Sequence, residues 1–133
     1  MHRRRFIKTA AVAGLAAGID PTLAVAPVEL PRRRLGRTGE ELSIVGFGGI
    51  VVLNKEQQHA DRSVARAVEE HGINYFDVAP SYGNAEERLG PALEPYRKDS
   101  FLACKTTERS AEGAQRELHA SLKRMRTNYF DLY

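Results

Sequence analysis

The sequence has very little of several residue types, and each shortage excludes a class of protein. A single cysteine, Cys104, occurs among 133 residues, which excludes an intrachain disulfide and a cysteine-rich metal site. The histidines show no ligand spacing, so we expect no metal. The weakly apolar run over 9–19 has 11 residues, far fewer than the roughly 20 that a bilayer-spanning helix needs. We therefore expect no stable membrane span.

The excess positive charge is confined to the amino terminus. Residues 1–26 carry four basic residues and one acidic residue, whereas residues 27–133 carry 16 of each. A nucleic-acid-binding surface needs a basic patch on the folded domain. The charge distribution therefore predicts no nucleic-acid partner.

Residues 1–26 have the layout of an export signal, with an arginine-rich start, a short weakly apolar run and a final Ala-Val-Ala. Arg3 and Arg4, with Phe6 and Lys8 behind them, resemble the twin-arginine signal. An ordinary secretory signal and a mitochondrial-type presequence are the alternatives. We expect the twin-arginine translocation machinery as a partner and a periplasmic or otherwise exported location.

From residue 32 onward, short apolar runs alternate with helical patterns, after a proline-containing linker over 27–31. We expect Asn54, Asn84 and Ser110 to begin helices and Gly72 to end one. The predicted order is a hairpin over 33–43, a strand over 44–49 buried on both faces, a helix over 55–71, a strand over 73–77, a helix over 84–93, a strand over 100–105, a helix over 110–126 and a fourth strand beginning at 128.

Strands that alternate with helices predict a parallel sheet, either an open doubly wound sheet or a (β/α)8 barrel. Barrels carry their catalytic groups at the carboxyl ends of the strands. Asp77, Tyr82 and Lys105 fall at such positions. The glycines at 46, 48 and 49 do not complete the Gly-x-Gly-x-x-Gly spacing of a dinucleotide-binding turn, so they are weak signals alone.

Asp77, Tyr82 and Lys105 suit one proton-transfer reaction. A phenol has a reference pKa of about 10 and is a poor acid at neutral pH unless a cation stabilises its phenolate. A lysine supplies that cation, and a carboxylate keeps the lysine charged in a partly buried pocket. Such a tyrosine can protonate a carbonyl oxygen as hydride reaches the carbon.

Several motifs then point to one family. Three parts of the sequence resemble the aldo-keto reductases, and they occur in family order. Residues 35–39 with 45–49 resemble the opening hairpin and first strand, residues 72–90 the family signature, and residues 122–133 the approach to the fourth strand. The resemblance implies a (β/α)8 barrel, of which residues 32–133 would be the amino-terminal half. It also implies NADPH as cofactor, with NADH as the alternative.

Site residues follow from this resemblance. The family's catalytic Asp, Tyr and Lys correspond to Asp77, Tyr82 and Lys105, and its histidine would fall just after Tyr133. The positions near the nicotinamide correspond to Gly48, Gly49 and Ile50. The implied reaction is NAD(P)H-dependent reduction of an aldehyde or ketone to an alcohol, with Tyr82 as general acid. The alternative is a truncated, non-catalytic half-barrel that lacks the histidine and most of the cofactor site.

Strand alternation also predicts the environment of neighbouring side chains. If Lys105 points into the barrel, Cys104 faces the helices and is a small buried hydrophobic residue. Glu86, Glu87 and Arg88 are expected to form a solvated helix face.

Overall fold

A computed structural model describes residues 30–133. The predicted signal over 1–26 and the first part of the linker lie outside the described residues, so both stay predictions. The described chain contains five strands and three α-helices: β1 (Arg32–Arg34), β2 (Glu41–Ser43), β3 (Phe47–Gly48), α1 (Gln57–Glu69), β4 (Tyr75–Asp77), α2 (Ala85–Leu93), β5 (Phe101–Ala103) and α3 (Ala111–Arg124). Short 3-10 helices follow β3, over Gly49–Val52, and α2, over Glu94–Asp99.

The strands form a hairpin and a parallel sheet. β1 and β2 pair antiparallel, which confirms the predicted hairpin. β3, β4 and β5 lie side by side in chain order and parallel, with Gly48 opposite Asp77 and Asp77 opposite Ala103. Leu132 continues this order as a single parallel bridge to Ala103, where the fourth strand was predicted. Chain-order parallel strands joined by helices form part of a (β/α)8 barrel.

Two apolar clusters lie on opposite faces of the sheet. The larger one includes Phe76 and Leu102 and joins the strands to residues of α1 and α2. The smaller one packs Leu42 of the hairpin against Phe101 and Ala103. Because side chains alternate along a strand, Asp77 shares the face of the smaller cluster, which is the barrel interior.

The predicted strand over 44–49 is wrong in its first half. Ile44 and Val45 are 52% and 49% exposed, and β3 begins only at Phe47. The chain bends here because the Ser43 hydroxyl donates to the Val45 carbonyl. Gly46 then passes so close to the Tyr75 ring that a Cβ atom would lie 2.6 Å from it.

Local helix signals were confirmed at three positions and wrong at one. Ser110 caps α3 by accepting a bond from the Gly113 amide, and Gly72 follows α1 with a φ of 63°. Asn54 was wrong as a cap, because α1 begins at Gln57 and Glu56 precedes it. Asn84 occupies the cap position directly before α2, although its side chain makes no hydrogen bond within that helix. Instead the Asn84 Oδ1 accepts a hydrogen bond from the Asn54 amide at 2.8 Å, which ties the two loops together.

The predicted solvated face over 86–88 is wrong for Glu86, which is 1% exposed. Its carboxylate forms an ion pair with Arg124. Gly90 allows α2 to approach the end of α3 this closely, since a Cβ there would lie 2.5 Å from the Arg124 carbonyl oxygen. A buried carboxylate is stable only with such a partner.

Cys104 lies in the cluster that faces the helices, as predicted. Burial raises the pKa of its thiol to about 11, so it is a neutral thiol at physiological pH. Within residues 30–133, no helix combines the length and hydropathy required for a transmembrane span.

Candidate active site

Three polar side chains meet where the parallel strands end. Asp77 is the last residue of β4, Lys105 follows β5 by two residues, and Tyr82 lies in the loop between β4 and α2. The carboxyl ends of parallel strands lie at one edge of the sheet, so residues 28 positions apart become neighbours. The structure thus brings together the three residues predicted from the sequence.

Lys105 and Asp77 form the tightest contact of this cluster. The Lys105 Nζ lies 2.6 Å from both carboxylate oxygens of Asp77 and also donates to the Val78 carbonyl at 3.3 Å. The two side chains are 46% and 28% exposed. The ammonium group is therefore held in place while one side stays open to solvent.

The electrostatic surroundings favour the charged form of Lys105. Partial burial alone would lower the pKa of its ammonium group. The hydrogen bonds to Asp77 and Tyr82, together with their charges, outweigh the burial, and the net pKa of Lys105 is raised above its ordinary value. Lys105 thus stays protonated across the physiological range.

The phenol of Tyr82 lies beside this pair. Its hydroxyl donates to the Asp77 Oδ1 at 3.5 Å, a long and weak bond, and the Lys105 Nζ lies 5.1 Å from the centre of its ring. The hydroxyl is therefore free to exchange this bond for one to another oxygen.

The loop that carries Tyr82 is a tight turn. The Tyr82 amide donates to Ala79, and the Tyr82 carbonyl accepts from Ala85. Gly83 has a φ of 56°, and a Cβ there would lie 2.7 Å from the Leu53 side chain, so both conformation and space favour glycine. Asn84 ties the turn to the loop after β3, a contact that sequence reasoning missed because its two partners lie 30 residues apart.

The three positions expected near a nicotinamide ring lie at the end of β3, the strand that pairs with β4. Gly48 is paired with Asp77, and a Cβ on Gly48 would touch only Ile50, at 3.9 Å. Ile50 is 50% exposed. Gly49 has a packing reason to be glycine, since a Cβ there would lie 2.9 Å from Val78. Bare backbone at Gly48 beside an exposed apolar side chain fits the reacting end of a nicotinamide.

Outside this cluster, the described residues hold no metal site but do form an open depression. Residues 30–133 contain no group of three or more histidine, cysteine, aspartate or glutamate side chains that could hold a metal ion. An open depression of about 550 Å³ is lined in part by Lys98, Lys123 and Arg126. Lys98 comes before β5 in the chain, and Lys123 and Arg126 come before the Leu132 bridge. It therefore lies at the amino ends of the strands, away from the triad.

The parallel α/β sheet, with Asp77, Tyr82 and Lys105 at its carboxyl edge, is part of a (β/α)8 barrel. Residues 45–133 match the Aldo/keto reductase family. The chain belongs to this family.

Individual relatives agree with this assignment. The chain is 34% identical over 116 residues to an uncharacterized oxidoreductase, YqkF, of Bacillus subtilis, covering 77% of this chain and 37% of that protein. It is 33% identical over 114 residues to L-galactose dehydrogenase of Arabidopsis thaliana, covering 75% and 36%. The chain therefore spans little more than a third of the length of these curated relatives.

A solved structure confirms the fold. The holo form of the aldo-keto reductase AKR11C1 from Bacillus halodurans superposes with a TM-score of 0.66 at 32% identity, covering 79% of this chain and 39% of that one. The predicted (β/α)8 class is thereby confirmed for the portion that residues 30–133 supply.

Proposed function

We propose that the protein reduces an aldehyde or ketone to an alcohol with NADPH, or alternatively NADH, and that Asp77, Tyr82 and Lys105 perform the proton transfer. The observation that carries this proposal is the chain of contacts from Asp77 to Lys105 and Tyr82 at the carboxyl edge of the sheet. The names of the relatives, an oxidoreductase and a dehydrogenase, support the reaction class.

Each of the three side chains has a separate task in this reaction. The nicotinamide, when bound, supplies hydride to the carbonyl carbon. The Tyr82 hydroxyl donates its proton to the carbonyl oxygen, for which it must leave its long bond to Asp77. The Lys105 ammonium stabilises the phenolate that remains, and Asp77 keeps Lys105 protonated and in place.

The residues near β3 would hold the reacting end of the cofactor. Gly48 leaves room beside Asp77, and Ile50 offers an apolar surface to one face of the ring. Both would place the ring against the same edge of the sheet as Tyr82. The specificity for a particular carbonyl compound would depend on residues outside this cluster.

The test is turnover by the full product of the gene, assayed with NADPH or NADH and a set of aldehydes and ketones. We expect carbonyl-dependent cofactor oxidation, and a loss of about 100-fold to 10,000-fold in Tyr82→Phe. Tyr75→Phe is the matched control, because Tyr75 lies on the same face of β4 as Asp77 and no hydrogen bond to its hydroxyl occurs among residues 30–133. Equal activity of the two variants would contradict the role of Tyr82. Absence of both turnover and cofactor binding would favour the non-catalytic half-barrel.

We also propose that residues 1–26 direct export by the twin-arginine route, with the cofactor loaded beforehand, on the strength of Arg3, Arg4 and the run that follows. Replacing both arginines by lysine keeps the charge, so an ordinary secretory signal should still function. We expect the double variant to remain in the cytoplasm, as seen by cell fractionation. Unchanged export would contradict the twin-arginine route, and a cytoplasmic wild-type protein would contradict export altogether.

A further inference from the structure

The segment that follows Lys105 lies outside the sheet. The last backbone bond of this strand runs from the Cys104 amide to the Leu132 carbonyl at 2.9 Å. Residues 105–110 then cross to α3, and most of them are exposed. The backbone on the amino side of Lys105 is therefore fixed by the sheet, whereas the carboxyl side needs another support.

Glu117, in the second turn of α3, supplies that support. Its Oε2 accepts hydrogen bonds from the Thr106 hydroxyl at 2.6 Å and from the Thr107 amide at 2.7 Å. Its Oε1 accepts from the Thr107 hydroxyl at 2.8 Å. Both oxygens of one carboxylate thus bind the two residues directly after Lys105.

The same contacts keep Glu117 ionised. The Thr106 hydroxyl first, and then the Thr107 hydroxyl and amide, lower the pKa of the Glu117 carboxyl to about 2. Bonds to a charged acceptor are shorter and stronger than neutral ones. The support is therefore present at any pH at which the protein would function.

We infer that Glu117 is a positioning residue for Lys105, because it fixes Thr106 and Thr107 and so keeps the Lys105 Nζ on the Asp77 carboxylate. A lysine side chain has four rotatable bonds and reaches a fixed point only if its Cα and backbone direction are fixed. The sheet holds one neighbour of Lys105, and Glu117 holds the next two. The kinetic part of this inference rests on the proposed function, whereas the positional part does not.

The positional part is tested by titrating Lys105 in the full gene product. Labelling the lysines with ¹³C and ¹⁵N makes each side chain visible by NMR without altering the ammonium group, and the signal missing in Lys105→Arg identifies Lys105. Two ionisable groups face it, Asp77 and Tyr82. In Glu117→Ala we expect the pKa of Lys105 to fall toward that of an ordinary lysine, because Lys105 would leave Asp77.

Three further variants test whether the change in the Lys105 titration is specific to Glu117. Glu112→Ala is the control, since Glu112 is exposed on the same helix and no side-chain partner for it occurs among residues 30–133. It should leave the titration of Lys105 unchanged. Glu117→Gln keeps the shape and one acceptor oxygen, and should give a smaller fall than Glu117→Ala. If Glu117→Ala does not fold, Thr107→Val removes one of the three bonds and should shift the titration in the same direction.

The kinetic readout separates positioning from a purely structural brace. In a folded Glu117→Ala protein we expect kcat to fall about tenfold or more while KM changes little, since misplacement of a catalytic group chiefly affects the transition state. Lys105 titrating alike in Glu117→Ala and Glu112→Ala would overturn the inference. Absence of carbonyl reduction in every variant would defeat the proposed function but would leave the titration result to decide the inference.

Discussion

The two ends of the parallel sheet hold their charged residues in opposite ways. At the amino end, the Arg97 side chain is 11% exposed and donates to Thr127, Ser100, Tyr129 and Asp131. At the carboxyl end, Lys105 is 46% exposed and Tyr82 makes only a long bond. A buried cation with four hydrogen bonds stabilises structure, whereas a half-exposed one with a weakly bonded neighbour can exchange partners during a reaction.

The β1–β2 hairpin adds to the difference between the two ends of the sheet, because it packs at the amino end. Asn74 precedes β4, and its side chain accepts from the Ser43 amide and donates to the Glu41 carbonyl. The hairpin is thereby fixed to the amino end of the sheet, where Leu42 covers Phe101. At the amino end the hairpin packs against the sheet, whereas the carboxyl end carries the half-exposed Lys105.

Lys105→Met should reduce turnover about a thousandfold, since the phenolate would lose its stabilising cation. The free energy of unfolding should change by less than about 1 kcal/mol, because an ion pair this exposed contributes little. Enzyme kinetics and urea unfolding check the two halves of the prediction. A large loss of stability with retained turnover would contradict this prediction, because Lys105 would then stabilise the fold rather than take part in the reaction.

Arg97→Met should lower the free energy of unfolding by about 3 kcal/mol, because it removes one donor from the Ser100 and Tyr129 carbonyls and leaves the Asp131 carboxylate without its cation, with only the Leu102 amide still donating to it. Turnover per folded molecule should change little. Arg97→Lys keeps the charge but not the planar fork of donors, so its loss should be intermediate. Unfolding curves of the three proteins measure this directly, and an unchanged curve for Arg97→Met would show that the network contributes nothing.

Asn84→Ala should lower the free energy of unfolding by about 1 kcal/mol, since the Asn54 amide would lose its partner. Turnover should fall less than in Lys105→Met, because the Tyr82 turn would loosen without losing a catalytic group. Asn128→Ala is the control, as Asn128 is exposed. Identical melting and turnover in both variants would mean that the loop contact does not hold Tyr82.

Glu117 should make stability depend on acid pH. Its folded pKa of about 2 lies below the unfolded value of 4.5, so its contribution is fully present above pH 4.5 and is lost as the pH falls toward 2. Glu117→Gln should therefore flatten the decline of the melting temperature across that window. A decline as steep as in the wild type would show that other carboxylates cause it.

Local signals in the sequence predicted most of the fold. The Ser110 cap and the left-handed Gly72 each depend on residues within a few positions, so sequence patterns reveal them. Asp77 and Lys105 were predictable because strand ends meet at one edge, even though 28 positions separate them.

The remaining features depend on partners that sequence alone does not pair. Asn84 begins α2 as its residue type suggests, but its side chain accepts a hydrogen bond from the distant Asn54 amide rather than from its own helix. Glu86 has the charge of a surface residue, but close packing at Gly90 brings it to Arg124. Glu117 is an ordinary helical residue in the sequence, and only the fold brings the loop after Lys105 to its carboxylate.

The most direct test of the central claim is a double-mutant cycle of turnover with Tyr82→Phe, Lys105→Met and both together, with Tyr75→Phe as control. If Lys105 acts only by stabilising the Tyr82 phenolate, the double variant should be no slower than the slower single variant. Losses that multiply would contradict the account, because the two residues would then act independently.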